Sequence, residues 1–340
     1  MSFQSRHAEE PIADLERERG RVVTEALHGW ATRRGYRMAC GDISLLDKAR
    51  SEIQAFFEAG VIDADLYRTE LALLCGGSPE EIARPGRILI IAVPRPAHTV
   101  QFALKGRSTD ALLPPTYVDY SALPETVQKD LQQSVGDKRF RLIILDAPLK
   151  ALAARMGLVR YGRNNISYIE GLGSYFQLAG YITETLLETD SEQPPQTLST
   201  CGTCGACVAC CPGGAIGEDR FLLNGARCLT LFTENEGDWP GYFRPSMLEC
   251  IVGCLACQEG CPENAGLLRF EPSGVSFPED ETAAILAGGP RRGPLWDRIR
   301  EKLATLQLLR YEPVITRNLR VLVSGGAWSP DSPSTAIDRT

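Results

Sequence analysis

Ten of the twelve cysteines of this 340-residue chain fall between Cys201 and Cys261, and that crowding constrains the chain more than any other feature. A disulfide framework belongs to small secreted chains; cysteines packed into one stretch of a long chain point to metal. Cys40 and Cys75 lie apart and read as buried packing residues, since a free thiol behaves as a small hydrophobe.

Cys201, Cys204, Cys207 and Cys211, followed by Pro212, spell C-x2-C-x2-C-x3-C-P. This is the ligand run of bacterial ferredoxins, in which three thiols on one loop share a cubane and the fourth reaches a second cluster. Gly202, Gly205 and Ala206 keep the loop small, so backbone N–H groups can approach the cluster sulfurs. A second run, Cys254-x2-Cys257-x3-Cys261-Pro262, has the same Cys-Pro ending but lacks one upstream cysteine; Cys228 and Cys250 are the candidates. Zinc prefers two separated C-x2-C knuckles around one ion. Thiols crowded on one loop and two Cys-Pro endings instead predict two [4Fe–4S] clusters and an electron-transfer role.

At about 150 residues per domain, the length suggests about two domains. The formal net charge of −7 argues against wholesale nucleic-acid binding but leaves room for a local basic patch. One candidate runs from Arg291 to Arg320, with eight Lys/Arg against three Asp/Glu. It reads either as a phosphate-binding strip or as the solvated face of a helix. The polar N-terminus carries no apolar run of signal-peptide length, and the apolar runs Ile88–Val93 and Leu142–Leu145 are strand-sized, so a cytoplasmic protein with no membrane span is expected.

Apolar spacing predicts helices over 12–31 (weakened by Gly20), 45–59, 64–74, 121–135, 149–157 and 295–310. Residues 87–94 and 141–146 read as buried strands, 97–105 as the hairpin partner of the first, and 166–184 as a β-hairpin. Residues 191–200 read as a linker and 325–340 as a disordered tail. Strands and helices mix without a βαβ rhythm, so the fold class is α+β. The expected division is 1–195, an α+β domain; 196–275, the double-cluster ferredoxin-like domain; and 276–340, a helical segment and tail.

Two clusters form a wire, and the long N-terminal part is expected to hold its other end. GLGSYF at 171–176 is no dinucleotide fingerprint, no P-loop is present, and three histidines (His7, His28, His98) are too few for a histidine-rich metal site.

The order of landmarks resembles the epoxyqueuosine reductases, iron–sulfur and cobalamin enzymes of queuosine biosynthesis and tRNA processing. The resemblance covers about residues 20–325 and is strongest at 173–184, 201–216, 226–237 and 253–264. It implies one cluster on Cys201, Cys204, Cys207 and Cys261 and another on Cys211, Cys228, Cys254 and Cys257, leaving Cys210 and Cys250 as packing residues. It implies a nitroreductase- or cobalamin-chaperone-like N-terminal domain that binds cobalamin with its lower base displaced. Corrinoid-binding residues would be Arg163, Asn164 and Asn165, in a turn where the family has glycine–lysine–asparagine, together with Gly173 and Ser174. Asp146, at a strand end, and Tyr120 would be the catalytic acids.

Two departures stand out. Ser121 follows Asp119-Tyr120 where the family has histidine, and the segment from Asp146 to Gly157 is about three residues shorter. The implied function is reduction of epoxyqueuosine to queuosine in tRNA, with electrons from an external flavodoxin- or ferredoxin-type donor. The rival readings are a ferredoxin-like electron carrier and a reductive activator of another corrinoid protein.

Overall fold

The computed structural model describes residues 6–75, 86–218, 222–289 and 291–324. At its centre lies β2 (Arg87–Pro94). Successive side chains of a strand point to opposite faces. Ile88, Ile90 and Ala92 accordingly enter one apolar cluster, and Leu89, Ile91 and Val93 another. Burial on both faces is why the strand reads as an unbroken apolar run. With β1 (Arg37–Asp42), β5 (Ile143–Ile144) and β8 (Phe176–Thr183) it forms an antiparallel sheet in the order β1-β2-β8-β5. Helices Leu45–Glu58 and Leu149–Arg155 cover one face; Arg6–Arg33 and Leu123–Val135 cover the other.

Gly20 sits inside the first helix for a packing reason. A Cβ there would lie 1.9 Å from the carbonyl oxygen of Leu186, so only glycine lets that backbone approach. The third expected helix is present as Ala64–Leu66, a π-helical turn Tyr67–Leu71 and Ala72–Cys75.

A second sheet, in the order β4-β3-β9, contains β3 (Ala97–Leu104), β4 (Arg107–Leu113) and β9 (Phe270–Phe277). β9 runs parallel to β3, and Phe102 stacks on Phe277 at 4.8 Å. Helices Glu279–Ala287, Pro294–Thr305 and Glu312–Ser324 close this core with Ile285, Trp296, Ile299, Leu303 and Leu319. A two-stranded ribbon of β6 (Arg160–Tyr161) and β7 (Ser167–Tyr168) carries the turn 162–165.

Three expectations need correction. Residues 97–104 do not pair with 87–94. Pro96, which donates no N–H, separates Arg95, still bonded to the Tyr175 carbonyl, from Ala97, bonded to the Arg269 carbonyl, and the chain leaves to pair with 107–113 in the second sheet. Of 141–146 only Ile143 and Ile144 pair, at the sheet edge, where they are 41% and 40% exposed; Leu142 and Leu145 are the buried pair. Residues 166–184 are not one hairpin. Ile169 and Gly173 face each other across a tight turn, but Ser167–Tyr168 pairs with β6 while Phe176–Thr183 enters the central sheet. The tail from 325 lies outside the described residues. Among those described, no helix is long and apolar enough to cross a membrane.

Candidate metal centre and adjoining cavity

The first cysteine run folds as a short 3-10 turn, Ser199–Gly202, and the helix Ala206–Cys210; the second carries the helix Ala256–Glu259. Cys201, Cys204, Cys207 and Cys261 line one small cavity of about 90 Å³, together with Gly162, Arg163, Asn164 and Tyr168. Backbone N–H groups point at thiols: Arg163 N to Cys201 Sγ at 3.4 Å, and Ala215 N to Cys211 Sγ at 3.2 Å. Such bonds stabilise sulfur-borne negative charge.

Cys211, Cys228, Cys254 and Cys257 form the second group. Burial first, then the neighbouring Cys228 and Cys211, push the Cys254 thiol up to about 12. Burial and then Cys254, Cys228 and Cys211 push Cys257 up as well. Thiols that oppose one another's ionisation in this way are held as thiolates when a cationic metal core lies between them. The fold brings the cysteines that the resemblance assigns to each cluster into one neighbourhood apiece.

Cys250 is 2% exposed, in an apolar cluster with Ala97, Tyr175 and Leu255. Cys210 Sγ donates to the Ala256 carbonyl at 3.2 Å. Cys40, at a β1 position, is pushed up to about 12 by burial and by Asp190.

Beside the cysteines lies a cavity of about 570 Å³. Ile53, Phe56, Leu71, Leu74, Phe176 and Leu178 give it apolar walls. Its polar lining comes from Tyr120, Asp146, Lys150, Asn165, Ser167, Ser174 and Gln177, with Gln258 contributed by the cysteine module. Asp146 and Tyr120 both line this cavity and are exposed, and the Asp146 carboxylate has no hydrogen-bond partner among the described residues. The Gln177 amide donates to the Tyr120 carbonyl at 2.8 Å.

The residues expected to bind a corrinoid divide between the two spaces. Asn165 and Ser174 line the large cavity. Arg163, Asn164 and Gly173 do not; they stand on the side of the cysteine module. The Arg163 guanidinium donates to the Cys201 carbonyl at 2.6 Å and also to the Glu218 carbonyl. Asn164, 1% exposed, donates to the Tyr168 hydroxyl at 2.8 Å and to the Cys257 carbonyl at 3.1 Å, touching both cysteine groups. Gly173 has φ +60°, and a Cβ there would meet Asn264 Oδ1 at 2.3 Å.

Sequence reasoning missed Asn264, Gln258, Ser167, Lys150 and Gln177. The Asn264 carbonyl accepts from Ser174 N at 2.8 Å, and its amide donates to Ser174 Oγ and to the Gln258 carbonyl, each at 2.8 Å. Only its position two residues after Cys261-Pro262 could have drawn notice.

The basic stretch 291–320 is not a free strip. Arg298 and Lys302 pair with Glu281 at 3.4 and 2.6 Å. Arg291 and Arg300 reach Glu312 at 3.9 and 3.4 Å, and Arg310 reaches Glu234 at 3.8 Å. Arg317 lies over Trp239 and donates to the Gly237 carbonyl at 2.6 Å, while Arg320 donates to the Leu286 carbonyl at 2.7 Å. The helix-solvating reading fits these contacts better than the phosphate-strip reading.

Fold and site together define an iron–sulfur protein in which a two-cluster module abuts a large cavity in a mixed helix–sheet layer. Residues 200–264 match the family model described as a 4Fe-4S double cluster binding domain. The chain is 35% identical over 136 residues to epoxyqueuosine reductase of Yersinia pestis, covering 39% of this chain and 32% of that one. With the Salmonella typhimurium enzyme it shares 29% over 242 residues, 62% of this chain and 61% of the relative. These curated relatives are thus spanned over less than two thirds of their length. A crystal structure of epoxyqueuosine reductase with a tRNA-Tyr epoxyqueuosine-modified stem loop superposes with a TM-score of 0.60 at 21% identity, covering 88% of this chain and 80% of that one. The chain is thus similar to the epoxyqueuosine reductases in sequence over part of their length, and in fold over most of its own.

Proposed function

We propose that this chain is a corrinoid-dependent reductase that removes the epoxide oxygen of epoxyqueuosine in tRNA. The observation that carries this reading is the cavity beside the cysteine module. Its walls are apolar, yet Ser167 Oγ and Gln177 Oε1 are buried there with no hydrogen-bond partner among the described residues. Buried polar atoms are seldom left so. A broad apolar ring system fringed with amides, which is what a corrinoid is, fits such a wall. Cobalamin, when bound, supplies a metal that takes electrons one at a time and delivers them in pairs. In this reading the N-terminal layer is of the nitroreductase or cobalamin-chaperone kind. Residues 1–195 supply most of the cavity, 196–275 the clusters and 276–340 a brace, in a cytoplasmic protein served by a flavodoxin- or ferredoxin-type donor.

The residues have separate tasks. Asn165, Ser174 and Gln177 orient what the cavity holds, and Ile53, Phe56 and Leu178 exclude water from it. Converting an epoxide to an alkene consumes two electrons and two protons and releases water. Asp146, on the cavity wall with no partner among the described residues, delivers a proton from its carboxyl group to the epoxide oxygen, with the Tyr120 hydroxyl of the same lining as the alternative donor. Gln258 follows the ligand Cys257 directly in sequence and lies in the cavity wall, so the path from cluster to cavity is short.

The relative seen with a tRNA stem loop supports tRNA as the carrier of the substrate. The test is expression in cells lacking their own epoxyqueuosine reductase, with queuosine measured in digested tRNA. Iron and cobalt analysis of the anaerobically purified protein accompanies it. No queuosine from protein carrying both clusters and corrinoid would overturn the reading.

A further inference from the structure

Lys150 has an unusual set of neighbours. It stands in the first turn of the helix Leu149–Arg155, where the helix dipole gives a cation no support. Its Nζ donates to two oxygens of one residue, the Asn165 carbonyl at 2.8 Å and Asn165 Oδ1 at 3.2 Å, and sits 5.6 Å from the centre of the Tyr161 ring. Asn165 is held at φ +59°, a conformation that turns both oxygens toward the amine. All these partners are neutral. Arg155, one turn along the same helix, takes the nearby carboxylates instead: Glu52 at 3.0 Å and Glu192 at 3.5 Å. Lys150 therefore lines the cavity without a counter-ion among the described residues. The amine is reachable through the open cavity, but protein surrounds it, and that desolvation lowers it to about 8. An ammonium has three protons, and Asn165 engages two.

We propose that Lys150 is a second acid of this cavity and donates a proton from Nζ to the oxygen that leaves the substrate. The proposal rests on the reductive reading above. Breaking the first C–O bond leaves an alkoxide that takes one proton; breaking the second expels the oxygen as water after another. Two electrons arriving through the clusters complete the carbon–carbon double bond. Asp146 supplies one proton and Lys150 the other, and the neutral amine recovers its proton from solvent. Among the described residues, the other ionisable groups lining this cavity are Glu52, engaged by Arg155, Tyr161, Tyr120 and, on the loop before the helix, Asp146.

Two measurements on the cluster- and cobalamin-loaded protein test this. The first is trace labelling of amines across neutral and alkaline pH, read peptide by peptide by mass spectrometry. Lys150 is expected to reach half-reactivity near pH 8, whereas exposed lysines do so near about 10.4. Half-reactivity alongside the exposed lysines would overturn the proposal. The second is the pH profile of turnover. Wild type should lose kcat as pH rises past that of the amine. K150R keeps the charge and the Asn165 contacts but holds its proton too tightly, so kcat should fall about 100-fold at unchanged KM, with the alkaline limb gone. K150A should regain rate on adding ethylamine, which a purely structural lysine would not allow. K150R that matches wild type in rate and alkaline limb overturns the role of Lys150 alone. A wild type that forms no queuosine overturns the substrate reading, and with it the leaving oxygen that Lys150 would serve.

Discussion

The Ser174 hydroxyl donates to Gln258 Oε1 at 2.9 Å, joining the wall of the large cavity to the residue beside a cluster cysteine. Asn264 clamps the same serine from the module side through its carbonyl and its amide. Asn264→Ala leaves Ser174 N and the Gln258 carbonyl without their buried partner, which should cost about 1–3 kcal/mol. Chemical denaturation should register that loss, and transfer of electrons from reduced clusters to the cavity should slow while iron content holds.

Full loading should give about eight irons per chain. Cys228→Ala should lose one cluster's worth, because Cys228 stands with Cys211, Cys254 and Cys257. Cys250→Ala should keep both clusters, since that thiol is packed among Ala97, Tyr175 and Leu255. Iron analysis with electron paramagnetic resonance of the reduced proteins decides it; the reverse pattern would show the wrong cysteine was assigned.

Gly20→Ala would ordinarily stabilise a helix interior by about 1 kcal/mol. Here the added methyl meets the Leu186 carbonyl, and overpacking of this kind costs about 1–3 kcal/mol. A lower midpoint of thermal unfolding is expected, and a higher one would mean that the 186 segment yields freely.

Alkaline pH should destabilise the fold partly through Cys40. Its thiol is held neutral in the folded chain up to about 12 but ionises at about 8.5 once unfolded. Between those values the unfolded state binds fewer protons, so stability falls as pH rises through that window and is unaffected below it. Cys40→Ala should show a shallower decline of unfolding free energy across this window. An unchanged slope would assign the alkaline loss to other groups.

The cysteine spacing made the metal centre readable because cluster ligation is imposed locally, by loop size and a proline kink. The bifacial burial of β2 was equally plain, since Ile88 through Val93 leave no polar side. The pairing of strands was harder. Nothing local distinguishes Ala97–Leu104 as a partner of 107–113 from a partner of 87–94, and β9, reading FEPSGVSF, carries proline and glycine that disguise a strand. β1, with the sequence RMACGD, was missed because its three apolar residues are consecutive, and none is β-branched or aromatic. The cavity was only partly legible. Asp146 and Tyr120 came from resemblance, whereas Lys150, Ser167 and Gln177 matter through neighbours distant in sequence. The charge count over 291–320 misled because it cannot see Glu281, Glu312 and the carbonyls that engage those cations.

The parallel pairing of β3 with β9 has a consequence for biosynthesis. A ribosome must have released Phe277 before β3 can acquire its neighbour on that side, and every cluster cysteine emerges in the interval. Until then β3 presents an open edge, the kind of surface that recruits other strands. Pairings so far apart along the chain are slow to form. Cluster insertion thus falls in the same window as closure of this sheet, and a chain starved of iron would linger there with its edge uncovered.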